Sequence, residues 1–163
     1  MAETLGSLVD KLSIKNLRIW HLDEALEDEG TPASKRQELQ AKRDLADSQR
    51  QELAKEIDGF LGSALRGEVR IRDEKIKMYT NTNVSSSEAI KELGKAVSEL
   101  ASRNIKIWHL EDEVRRTDLP DATIVQTKRK IDTTNQERND LMDKVDEILL
   151  KHSTPTTSRG GNE

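Results

Sequence analysis

Asn16-Leu17-Arg18-Ile19-Trp20-His21-Leu22-Asp23 returns 88 residues later (104 − 16 = 88) as Asn104-Ile105-Lys106-Ile107-Trp108-His109-Leu110-Glu111. The chain has only two Trp and three His, and this stretch takes both Trp and two of the His at matching places. Chance placement rarely does that, so the sequence reads as an internal duplication. The same ungapped offset pairs Leu5 with Leu93, Gly6 with Gly94, Val9 with Val97, Leu12 with Leu100, Pro32 with Pro120, Arg50 with Arg138, Leu53 with Leu141 and Leu61 with Leu149. Nearly two full copies are covered.

Each copy has the pattern of a helical hairpin. Leu5, Leu8, Val9, Leu12, Ile19 and Leu26 recur at helical spacing after Thr4, a suitable N-cap, and predict a first helix to about Glu27. Thr31-Pro32 then restarts the chain as a cap followed by a proline, and the second helix continues to about Leu65. Residues 66–85, with Gly67 and the run Thr80-Asn81-Thr82-Asn83, break the period and read as a connector. Ser85 with Glu88 offers a capping box for a third helix, ending near Arg116. The turn Thr117-Asp118-Leu119-Pro120 leads to a fourth helix from about Asp121 to Lys151, and the tail 153–163 has a disordered composition. Neither hairpin, 4–65 or 86–152, can cover its own apolar face. The expected fold is therefore all-α, one four-helix bundle over 1–152 with the two hairpins related by a pseudo-twofold axis.

Composition excludes several classes. A net charge of −4 argues against a general nucleic-acid binder. Cysteine is absent, which removes disulfides, thiolate metal sites and a Cys nucleophile. No segment approaches the ~20 apolar residues of a membrane span, and the N-terminus lacks a secretory apolar run, so a cytoplasmic protein is expected. There is no phosphate-binding glycine loop, no Gly-x-Ser-x-Gly and no His-Glu-x-x-His. Glu24-x-x-Glu27 occurs once, without the second acidic pair that helical nucleotide pyrophosphatases use. His21 with Glu24, and His109 with Asp112, have the reverse order of the Glu-x-x-His metal motif. No metal or other cofactor is expected.

On a helical wheel Asn16 and Asp23 fall within the apolar arc of the first helix, as Asn104 and Glu111 do in the third. Lys42 and Arg50, matched by Lys130 and Arg138, share the apolar faces of the partner helices. The hairpin level predicts that Asp23 pairs with Lys42 and Glu111 with Lys130, while Arg50 and Arg138 approach Asn16 and Asn104. Inward polar groups must be paired or wet, and a register-fixing network accounts for them. Four inward cations facing two carboxylates would alternatively hold a phosphate- or carboxylate-bearing metabolite. Ile14, Leu17, Trp20, Ile105 and Trp108 widen the apolar arcs and are candidates for an interface. The leading expectation is a non-enzymatic partner-binding or scaffolding module, with a protein partner or a homodimer, and the anion binder or enzyme is the alternative.

The segment Leu12-Ser13-Ile14-x-Asn16-Leu17-x-Ile19-Trp20-His21-x-Asp23, together with Asn135-Gln136-Glu137-Arg138 and Asn139-Asp140-Leu141, resembles a family of small bacterial helical proteins known only as a domain of unknown function. The first copy departs from the second stretch, carrying Asp47 where the second copy has Asn135. The resemblance spans each hairpin. It implies a helical fold and no activity.

Overall fold

The computed structural model describes residues 3–72 and 86–153. Four helices follow in order: α1 Leu5–Glu27, α2 Ala33–Leu65, α3 Leu93–Val114 and α4 Asp121–Ser153. They pack as two antiparallel hairpins, α1 with α2 and α3 with α4, and α1 also lies against both α3 and α4. The all-α four-helix bundle expected from the duplication is the observed fold.

Helix ends follow local chemistry. Thr4 caps α1 through a reciprocal box in which its hydroxyl accepts from the Ser7 N–H and the Ser7 hydroxyl accepts from the Thr4 N–H. At the end of α2, Gly67 takes φ +73, and the Gly67 and Glu68 N–H groups donate to the Ala64 and Ser63 carbonyls. This is a Schellman closure, which glycine enters without steric penalty. The second helix starts one residue later than read, with Pro32 as its cap and the Thr31 hydroxyl bonded to the Ala25 carbonyl. The third starts at Leu93 and not near residue 86: Glu88 and Ala89 form a turn, and Glu92 is an N-cap without a side-chain bond. Ser85, the middle and end of the connector (73–85) and the tail beyond Ser153 lie outside the described residues.

The main apolar cluster sits at one end of the bundle, where the starts of α1 and α3 meet the ends of α2 and α4, and Ala46, Leu110 and Ile131 are buried farther along. Leu5, Ala64, Ala96, Val145, Ile148 and Leu149 make up that cluster, and Ile71 folds back from beyond α2 to join them. Two close approaches fix α1 on α4. Gly6 packs so tightly that an added Cβ would stand 2.2 Å from the Met142 carbonyl oxygen. Its N–H, one of the donors left over at a helix start, gives a 2.7 Å bond to the buried Asp146 carboxylate.

Ion pairs run along the second hairpin, and Glu137 and Lys144 are their buried members. Arg103 joins Glu137 at 2.7 Å and Glu99 at 2.9 Å, and Lys144 holds Glu147 at 2.8 Å. Lys144 and then Lys151 pull the Glu147 carboxyl down from its ordinary 4.5 to about 2. A carboxyl with a depressed folded-state pKa stabilises the fold above its unfolded value and loses that contribution as pH falls through the folded one. Acid titration of stability should therefore show a loss between pH 4.5 and about 2 that is smaller in Glu147→Gln, read by urea midpoints at successive pH values.

Candidate functional site

The two copies place their matched polar residues in unequal surroundings. Asn104 is 4% exposed, and its side-chain amide donates a 2.8 Å bond to the buried Asp10 carboxylate. Asn16, expected to point inward, is exposed. The 88-residue offset explains the difference: the counterpart of Asp10 is Ser98, which is uncharged and exposed, so Asn16 has no equivalent acceptor.

The expected ion pairs are also redistributed. Asp23 meets Arg43, at 3.0 Å, and not Lys42. On α2 the inward positions 39, 43, 46, 50 and 53 follow the alternating three-four spacing of a packed helix, so Lys42 is turned about 100° off that seam. Lys42 is exposed and bonds Glu38 of its own helix. Lys130 is exposed and does not pair with Glu111. Arg50 does not approach Asn16, because its Nε and Nη2 both donate to Asp47 Oδ1, at 3.0 and 2.6 Å. Four inward cations are therefore not gathered in the centre.

Three of the expected residues do converge. Asn104, Glu111 and Arg138 line one cavity of about 210 Å³ between α1, α3 and α4, closed by Ile14, Leu17, Ile107 and Trp108, with Arg115 also lining it. The Arg138 Nε is buried without a hydrogen-bond partner, the sole such side-chain atom among the described residues. Buried polar atoms are nearly always satisfied, so a guanidinium left in this condition calls for an explanation.

The two Trp diverge in the same way. Trp108 stacks on His21, with ring centroids 4.3 Å apart and planes 6° apart, and so ties α3 to α1. The His21 Nδ1 faces Glu24 at 2.9 Å, so the ring is engaged on both its face and its edge. Trp20 is 65% exposed. It does not seal the bundle flank but stands over an open apolar groove of about 410 Å³ between α1 and α3. Like-numbered residues of the two copies line that groove: Val9 with Val97, Ser13 with Ala101, and Leu17 with Ile105. A further open cleft of about 510 Å³ lies between α1, α2 and Trp108, with Lys42, Leu45 and His21 along it.

Positions outside the expected set include Asp10, Arg43 and Asp47, with Ile107 and Arg115 in the cavity lining and His21 on Trp108. Arg43 was accessible from the seam spacing, and Asp47 from the departure of the first copy from the Asn-x-x-Arg stretch of the second. Asp10 carried no signal of its own, since a single acidic residue early in a helix is ordinary.

These features define an all-helical protein built from two related hairpins, with a small cavity holding Asn104, Glu111 and Arg138 and an open apolar groove between α1 and α3. The chain belongs to the family described as Protein of unknown function (DUF4254), whose model matches residues 1–72 and 94–163. No curated protein and no solved structure matches it. Among the described residues, no helix is long and apolar enough to cross a membrane, and no group of three or more His, Asp or Glu is placed to hold a metal ion.

Proposed function

We propose that the chain is a non-enzymatic helical module that works by protein contact, and that its α1/α3 face pairs with a second copy of itself. The supporting observation is the exposure of Trp20 at 65% and Ile105 at 46% on either side of an apolar groove. Large rings left in water at the edge of an apolar concavity are typical of interface anchors, which fill a pocket on the partner and lose their water on docking. A second copy fits because the face is made of corresponding residues from the two repeats, Val9/Val97 and Leu17/Ile105. An isologous contact sets the same patch of two copies face to face, and an apolar groove beside an exposed ring offers each copy both the pocket and the anchor. The lack of Cys suits a reducing, cytoplasmic setting for this role.

Sedimentation velocity should show a concentration-dependent dimer with a dissociation constant in about the micromolar range. Trp20→Lys should leave a monomer with unchanged helical circular dichroism, because the ring it replaces is mostly in solvent. Wild-type protein sedimenting as a monomer at about 100 μM would reject self-association.

A further inference from the structure

The two copies differ beside one arginine, and the difference bears on the cavity between α1, α3 and α4. In the first copy Arg50 is neutralised within its own helix, with two of its nitrogens on Asp47 Oδ1. The residue 88 places on from Asp47 is Asn135, which brings no charge, and Arg138 is left without an ion pair among the described residues. An arginine cannot shed its proton, and its Nε is shut off from water without a partner, which is costly for a polar N–H. Arg138 also lines the cavity of about 210 Å³, where the rest of its guanidinium can meet an anion.

We propose that this cavity, between α1, α3 and α4, binds a small organic acid as its monoanion, with the carboxylate on the Arg138 guanidinium. A planar carboxylate matches the fork of guanidinium donors, which can take it with two parallel bonds. The opposite wall of Ile14, Leu17, Ile107 and Trp108 suits a short apolar body. Glu111 sets the charge limit. With Arg138 and Arg115 as the cations and Glu111 as the carboxylate, the lining carries one net positive charge, and Arg115 is already engaged by Asp112 at 3.3 Å. A second negative charge on the ligand would exceed that balance and face the Glu111 carboxylate, whereas a hydroxyl on the acid would give Glu111 a donor. The site shares Leu17 with the α1/α3 groove but none of its polar residues, so its titration is read separately from dimerisation.

The test follows the Arg138 Nε–H resonance by nuclear magnetic resonance while isovalerate, 2-hydroxyisovalerate or inorganic phosphate is titrated into the full chain. Both acids should shift that signal saturably, the hydroxy acid at lower concentration, and phosphate should do so less. For the variants, Trp108 fluorescence in a Trp20→Phe background reports the same titration. Arg138→Gln should weaken binding at least tenfold, the loss expected for one charge-assisted contact. Asn135→Asp guards against misfolding, since it supplies the carboxylate that Asp47 gives Arg50: it should fold at least as stably as the wild type and also bind at least tenfold more weakly. The proposal is overturned if neither acid moves the Arg138 signal, if phosphate moves it more than the acids do, or if Asn135→Asp binds as the wild type does.

Discussion

Gly6→Ala should be the most damaging glycine-to-alanine change among the described residues, lowering stability by about 3 kcal/mol. The new Cβ would sit 2.2 Å from the Met142 carbonyl oxygen, 2.8 Å from its carbonyl carbon and 3.0 Å from its Cα. All three are backbone atoms of α4, so no side chain can rotate away. Relief requires α1 and α4 to separate, which lengthens the bond from the Gly6 N–H to Asp146 and loosens the core around Leu5, Val145 and Leu149. Gly94, the matched glycine of the second copy, has nothing within 4 Å of its added Cβ. Gly94→Ala should therefore stabilise by about 0.5–1 kcal/mol, through helix propensity and a less flexible unfolded chain. Thermal denaturation should move the two variants in opposite directions, with the Gly6→Ala midpoint lower by roughly 6–12 °C. Equal midpoints would mean that α1 does not sit on α4 as described.

The second large effect is expected at Asn104. Asn104→Ala removes the donor that satisfies Asp10, and both side chains are buried. What is lost is chiefly the solvation the Asp10 carboxylate gave up on folding, about 2–3 kcal/mol for a charged acceptor left without its partner. Asp10→Asn should cost less, because an amide oxygen can still accept from Asn104 and carries no buried charge. A double variant, Asp10→Leu with Asn104→Leu, should recover part of the loss, since an apolar pair leaves no polar atom unsatisfied. Urea denaturation of the set reads these differences directly.

Much of the fold was accessible from spacing alone. The apolar periodicity, the Thr-Pro and Leu-Pro turns and the repeat together specify two hairpins, and no tertiary information was needed to see them. The seam of α4 runs through Thr127, Ile131, Thr134, Arg138, Leu141, Val145 and Ile148, which marks Arg138 as the one charge in an inward row. The failures came where neighbours decide. Lys42 and Arg43 are adjacent in sequence, and a 100° rotation about α2 sends one to solvent and the other to Asp23. Asn16 and Asn104 have the same local surroundings in the chain, yet only one faces a carboxylate, because its acceptor comes from another helix. The start of the third helix was misplaced because a Ser-x-x-Glu box is a local signal that a turn can also use.

Duplication gave the protein two copies of each polar position, and single changes between the copies, Asp10 against Ser98 and Asp47 against Asn135, separated their roles. The most direct measurement of that separation is the urea stability of Asn16→Ala beside Asn104→Ala in the same buffer. Asn16→Ala should lie within about 0.5 kcal/mol of the wild type, as exposed helix positions do, while Asn104→Ala loses about 2–3 kcal/mol. Equal losses at the two positions would contradict the account, since they would mean that both copies bury their asparagine alike.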